Sequence, residues 1–369
     1  MILEVHGDVC RLGYLKVVAC LLEDGVPRSP DYLASLLLET CRSAENDVGG
    51  LLGLLRTEVN AVNYVKLASQ LGFYDRATGR LGGFGAAYVC LSASSPIKMH
   101  VTGEQPAKLS EMLGLNDVER LLFLHALLSA DFPMISNVLR WVYRKREFSR
   151  HEAMEVVMEE IYPEALRRVL KKSDGRKREL IVKELENSLR FREERLKYGS
   201  KVEWIRSRLY AKYRHSVPPR LEWLSDVGLV WNRGRGRYGV SEWFLQNFRD
   251  LDVVLQRSVE RLDQTFFGDF VQSVVPLRLA GRRVEVQFLT ECYRVLERVL
   301  EKVRLDVLCL ATSYRMVEAG YRSSPASVSR IFSHLSQRYP DKVFAYDSDD
   351  GSPEVTGVDI SLLNNLTLV

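Results

Sequence analysis

The side chains best suited to catalysis are scattered along this chain. Six histidines, His6, His100, His125, His151, His215 and His334, form no H-x-x-x-H or H-E-x-x-H spacing, and His151-Glu152 lacks its second histidine. The arrangement that puts two imidazoles on one helix face around zinc is therefore absent. Six cysteines, Cys10, Cys20, Cys41, Cys90, Cys292 and Cys309, contain no C-x-x-C pair and mostly sit in apolar runs such as VVAC and AYVC. They read as buried thiols in a reducing compartment, with a bond from Cys10 or Cys20 to a distant cysteine as the alternative in a hyperthermophile. No G-x-x-x-x-G-K-[ST] loop occurs, and GRLGGFG (79–85) has neither a clear preceding strand nor the acidic residue of a dinucleotide site. A metal-dependent nuclease needs clustered carboxylates and a lysine on paired strands. The nearest match, RVEVQ (283–287) with Glu285 and an upstream Asp263 or Asp269, lacks the lysine. No catalytic residue, metal or cofactor is assigned, and a non-enzymatic protein is expected.

The chemistry that stands out is that of arginine. Its planar guanidinium binds phosphate and guanine edges bidentately. Net charge is only +4, from 52 basic and 48 acidic residues, so the placement of the charge matters more than its sum. The segment SVPPRLEWLSDVGLVWNRGRGRYGVS (216–241) carries Arg233, Arg235 and Arg237 within five residues. A second cluster, KKSDGRKRE (171–179), includes Arg176, Lys177 and Arg178. It is either a phosphate track or a solvated face, since neighbouring glutamates offer i,i+4 partners.

These residues need elements to hold them. A chain of 369 residues that is 46% hydrophobic and 27% charged has room for two or three folded domains. The N-terminus lacks the basic region and apolar run of a signal peptide, and apolar segments fall short of a membrane span, so a cytoplasmic, non-membrane protein is expected. Apolar periodicity predicts helices over Asp8–Leu22, Ser29–Cys41, Asn60–Leu71 (with Val62 near its apolar side), Asn116–Leu128, Pro133–Val142 and Ser149–Val169. Ser149 is the expected cap of the last of these. A long charged helix over Glu179–Lys212 carries a sparse apolar seam, either lying across its domain or forming a dimer arm. A helix about Pro218–Val227 leads into strands Gly228–Asn232 and Arg237–Ser241, with Gly234 and Gly236 at the positive-φ positions of the turn. Phe270–Leu289 reads as a hairpin turning at Ala280-Gly281. The order helix, helix, strand, turn, strand returns in Asp306–Ala319, Ser324–Arg338, Lys342–Tyr346 and Glu354–Ile360. That last turn is acidic (Asp347, Asp349, Asp350), the wrong sign for phosphate.

This helix-then-hairpin pattern, read at 216–241 and again at 60–95 and 304–361, resembles the winged-helix superfamily, of archaeal multi-domain type. The resemblance is structural and singles out no one family. It implies a mainly α fold with small β-hairpins (α+β), as tandem winged-helix-like units joined by helical segments: 1–95, a linker 96–115, 116–248, a connector 249–303, and 304–369. It also implies duplex DNA as partner. The expected contacts are Arg220 on the central helix, Arg233, Arg235 and Arg237 on its hairpin, Asn63, Lys66 and Gln70 in the first unit, Ser329, Arg330, His334 and Arg338 in the third, and Arg176, Lys177 and Arg178 along the backbone. The central helix offers few base readers besides Arg220, only Glu222, Ser225 and Asp226, so any sequence reading is expected in the outer units. A protein-interaction subunit or homodimer of a DNA-processing or defence assembly, and a restriction-type recognition subunit, are the competing readings.

Overall fold

A computed structural model describes residues 2–48, 53–346 and 352–358. Helices make up most of it, and the strands are short: β1 (Tyr74–Asp75), β2 (Arg80–Leu81), β3 (Glu147–Ser149), β4 (Val230–Gly234), β5 (Arg237–Val240), β6 (Val303–Arg304), β7 (Val343–Tyr346) and β8 (Glu354–Val358). The fold is thus mainly α with small β-hairpins. β1 and β2 form a two-stranded ladder. The other two sheets share one order, β3-β5-β4 and β6-β8-β7, all antiparallel. In each, a lone strand pairs with the second strand of a later hairpin; two helices separate them in the β6 sheet, and a much longer helical run, from Arg150 to Asp226, in the β3 sheet.

The chain divides into two compact units that do not follow the expected linear boundaries. One takes the described residues of Met1–Leu12, Gly50–Leu54 and Phe123–Leu255, and the other those of Gly13–Gly49, Leu55–Leu122 and Gln256–Val369. The stretch 96–115, expected as a linker, forms helices Ser95–Val101 and Leu109–Leu113 and buries Ile97, Met112 and Leu113 within the second unit. The helix Glu58–Gln70 buries Ala61, Tyr64, Val65, Leu67 and Ala68, but Val62 faces outward.

Two further expectations are corrected. The Glu179–Lys212 region is a chain of short helices, Gly175–Leu189, Phe191–Leu196, Lys201–Arg206 and Arg208–Ser216. Ser200 and Ser207 are the reason: each side-chain oxygen accepts an N–H of the next first turn, from Glu203 and Tyr210, and so starts a helix afresh. The expected hairpin at 270–289 does not form: helix runs to Val274, residues 275–281 are irregular, and the helix Arg282–Val299 follows, burying Val286, Leu289, Tyr293 and Leu296 at helical spacing. Gly281 precedes that helix with φ −75°, so it makes no glycine turn. Glu285 therefore sits on a helix, and the strand pair that a nuclease reading needs is not there.

The helix Asp117–Lys145 is long and apolar enough to cross a membrane, contrary to expectation, but 78% of its most apolar window is buried inside the protein. It breaks at Asp131 (φ −132°, ψ 36°), two residues before Pro133. In the first unit the Asp131 carboxylate, fully buried, accepts from Arg220 Nε (2.8 Å) and Leu3 N–H (3.1 Å) and pairs with Arg220 Nη2 (2.6 Å). Arg220 Nη2 also donates to the Leu3 carbonyl (2.9 Å) and Nη1 to the Ser216 carbonyl. In the second unit Lys16, equally buried, donates to the Gly114 carbonyl and pairs with Glu119 at 3.2 Å.

A buried ion pair adds little net stability, but leaving one partner alone is costly. Asp131→Ala strands Arg220 and is expected to cost about 3–5 kcal/mol, whereas Asp131→Leu combined with Arg220→Met restores most of it. Urea unfolding of the three proteins tests this. A single-mutant cost within about 0.5 kcal/mol of zero, the range of an ordinary surface change, contradicts the assignment.

Candidate nucleic-acid interface

The β4–β5 hairpin has the predicted tip. Gly234 (φ 82°) and Gly236 (φ 72°) take positive φ, and Arg235 between them does so as well, at φ 50°. The strands pair Asn232 with Tyr238 and Gly234 with Arg237, leaving Arg235 and Gly236 as a two-residue turn with a bulge behind it. Two consecutive positive-φ residues suit the twist of a tight hairpin, and a non-glycine residue there carries a cost of about 1–2 kcal/mol. Arg150, the residue after β3, braces the tip: its N–H donates to the Gly236 carbonyl (2.7 Å). Trp231 lies over Gly239, where a side chain would come within 3.0 Å of the indole, and its Nε1–H donates to the Val240 carbonyl. The Arg233 guanidinium stacks 3.9 Å from the Trp231 ring centre and pairs with Glu147 on β3 at 2.6 Å. Arg233 is thus held against the sheet although exposed, Arg235 is exposed in the turn, and Arg237 is exposed at the start of β5.

The helix before this hairpin is not a reading helix. Pro218–Asp226 buries every residue from Pro218 to Leu224. Arg220, expected to read bases, is 1% exposed and committed to Asp131. Glu222 is completely buried. Its carboxylate accepts from Tyr238 Oη (2.6 Å) and Asn232 Nδ2 (3.1 Å) and pairs with Arg11 Nη2 (2.7 Å). Asp226 pairs with Arg11 Nη1 (2.6 Å) and accepts from Leu12 N–H (2.8 Å). The extended segment 2–12 accounts for much of this, since Trp223 Nε1–H also donates to the Val9 carbonyl (2.7 Å). Gly7 N–H donates to His215 Nδ1 (3.0 Å), which requires that nitrogen to be unprotonated. Burial and the Arg214 charge lower the His215 pKa accordingly. Burial pushes the Asp226 carboxyl up to about 6 against the pull of Arg11.

In the second unit the helix Pro325–Arg338 has the expected two faces. Ser324 and Ser327 close a capping box at its start. Val328, Ile331, Phe332 and Leu335 are buried, and Arg330, Ser333, His334, Gln337 and Arg338 are exposed, with Ser329 half-buried beside them. Arg330, His334 and Arg338 recur at i, i+4 and i+8 and so share one side. The acidic turn residues Asp347, Asp349 and Asp350 lie outside the described residues.

Two other predicted groups are less well placed. Asn63, Lys66 and Gln70 on the Glu58–Gln70 helix are half-buried, while the outermost positions are apolar, Val59 at 69% and Val62 at 41% exposure. Arg176, Lys177 and Arg178 are exposed on the first turn of Gly175–Leu189, where cations oppose the helix dipole. Arg178 partly offsets this by donating to the Leu170 carbonyl (3.2 Å).

What reasoning from sequence passed over is how the hairpin is stiffened: β3 with Glu147, the bracing role of Arg150 (read only as part of a basic cluster), and Trp231 as a stacking surface. Their only signal was the short alternating E-F-S before the Ser149 cap, which is confirmed by Glu152 N–H donating to Ser149 Oγ. Among the described residues, no group of three or more His, Cys, Asp or Glu is placed to hold a metal ion. No protein-family model, curated protein or solved structure matches the chain.

Asp226 gives this site a pH signature. Its folded pKa, about 6, lies above the ordinary carboxyl value of 3.8, so the fold takes up a proton as pH falls. That contribution is fully present below 3.8 and is lost as pH rises through about 6. On going from about pH 7 to about pH 5, the wild type is expected to gain stability relative to Asp226→Asn. Paired urea titrations at the two pH values check the sign, and equal pH dependence in the two proteins refutes it.

Proposed function

We propose that the protein binds duplex DNA without catalysing a reaction on it, through winged-helix-like modules. The observation that carries this reading is the braced arginine hairpin. Three exposed arginines cluster at one hairpin tip, Arg233 on β4 stacked on Trp231 and paired with Glu147, Arg235 in the turn and Arg237 at the start of β5, with no acidic residue between 233 and 237. A rigid, cationic projection of this kind suits the phosphate backbone, where binding releases counterions. The recurrence of one strand order in the β3-β5-β4 and β6-β8-β7 sheets supports the winged-helix resemblance. In this reading the hairpin holds the backbone, and the exposed side of Pro325–Arg338, with Ser329, Arg330, His334 and Arg338, contacts base edges. Arg220 has no part in it.

A second reading, a protein-interaction subunit of a DNA-processing or defence assembly, is favoured by one observation: the buried Pro218–Asp226 helix leaves the central module without a free groove-reading surface.

Fluorescence anisotropy with a random-sequence duplex, at about 50 mM and about 200 mM salt, separates the two. DNA binding predicts a steep salt dependence. Replacing Arg233, Arg235 and Arg237 together by Ala is expected to weaken affinity at least tenfold and reduce the log–log salt slope by about 2–3, while Arg330→Ala with Arg338→Ala chiefly narrows the difference between preferred and random sequences. No salt-sensitive binding by the pure protein would remove this proposal and leave the second reading.

A further inference from the structure

Positive charge is concentrated in one stretch of the first unit. Residues 171–214 hold 15 Lys and Arg against seven Asp and Glu, a net +8 in a chain whose total is +4. The same stretch carries six of the sixteen exposed large apolar side chains among the described residues. Apolar residues exposed singly need no explanation, but a cluster does. Four of the six fall between 196 and 205: Leu196 (68% exposed), Tyr198, Val202 (58%) and Ile205 (46%).

Local bonds hold these four together. The helix Phe191–Leu196 ends in a turn, and Gly199 N–H donates across it to the Glu203 carboxylate (3.1 Å). The rings of Tyr198 and Trp204 lie 5.5 Å apart. On Lys201–Arg206 the buried position is Trp204. Val202 and Ile205, three apart, share a side that points away from it. The helix turns about 100° per residue, which sets Lys201 and Arg206 on either side of the apolar pair. Leu196 is flanked in the same way, by Arg192 one turn before it and by Lys197 after it. All four of these cations are exposed.

Nucleic acid would use the cations but give the apolar chains no role. A second copy of the patch would set like charge against like charge. Aliphatic side chains between long cations suit a lipid interface, where the apolar groups enter the acyl boundary and the ammonium and guanidinium groups stay among the headgroups. The excess of positive charge then selects anionic headgroups. We propose that the segment 192–208 binds the surface of an anionic lipid bilayer, without crossing it, with Leu196, Val202 and Ile205 inserted. The segment shares no residue with the arginine hairpin, so this inference is independent of the nucleic-acid reading.

The test is co-sedimentation of the full-length protein with vesicles of phosphatidylcholine, alone or with about one-third phosphatidylserine. Binding is expected to the mixed vesicles and to be at least tenfold weaker to phosphatidylcholine alone. Leu196→Ser, Val202→Ser and Ile205→Ser together keep the charge and are expected to weaken binding at least tenfold. Lys201→Gln with Arg206→Gln is expected to weaken it about thirtyfold, from roughly fivefold per cation. Replacing Arg233, Arg235 and Arg237 by Ala leaves vesicle binding unchanged, and the triple serine variant leaves duplex affinity unchanged. Equal or absent binding to the two vesicle types overturns the proposal, and the wild-type protein alone decides this. Anionic-vesicle binding that the serine variant retains also overturns it, because charge alone then explains the attraction. Should vesicles fail while a Glu- and Leu-rich helical peptide binds and Leu196→Ser abolishes that binding, the patch docks protein and the lipid proposal falls.

Discussion

Arg220 and Asp131 meet in the interior of the first unit, and much of its arrangement follows from the need to satisfy them. A guanidinium with five donors cannot be buried beside a single carboxylate without further acceptors. The carbonyls of Ser216 and Leu3 supply these, and the Leu3 N–H in turn helps to saturate Asp131. The pair therefore fixes three remote pieces of chain at once: the bend in Asp117–Lys145, the start of Pro218–Asp226 and the extended N-terminal segment. Arg11 repeats the device at the other end of the short helix, bridging Glu222 and Asp226. A helix pinned at both ends in this way gives the following hairpin a rigid base.

Rigidity is what the hairpin needs. Tyr238 carries the link, since its hydroxyl donates to Glu222 while Arg150 Nη2 donates to it (3.1 Å). The ring of Tyr238 stacks on Phe148 of β3. The buried charge network and the exposed arginines are thus two ends of one construction: acids inside hold the tyrosine and the strand, and the strand projects the bases outside.

How far this was legible depends on the distance over which each property is decided. The positive φ at Gly234 and Gly236, the Ser149 cap and the buried side of Pro325–Arg338 were readable because glycine freedom, capping and periodicity act within a few residues. The direction of Arg220 was not, because its partner lies 89 residues away. From sequence, PPRLEWLSDV offers four polar residues that look available to a groove. In the fold, Glu222 and Asp226 neutralise Arg11, and Arg220 neutralises Asp131. The first half of the helix at 282–299, up to Leu289, was mistaken for a hairpin strand because Val284 and Val286 raise the local β-branched content, while the burial pattern needs the packed neighbour to become visible; the part from Thr290 on was read as helix. The breaks at Ser200 and Ser207 were hidden in a run of charged residues whose helix-forming tendency is nearly uniform.

The N-terminal segment has a consequence for the order of assembly. Residues 2–12 leave the ribosome well before their partners Asp131, His215, Glu222, Trp223 and Asp226 are made. At a synthesis rate of roughly 5–20 residues per second, that delay is on the order of tens of seconds. During it, Leu3, Val9 and Leu12, all buried in the finished fold, have no native place to go. A segment made early is thus among the last to settle, and the first unit cannot close as a growing chain; it must be completed from behind.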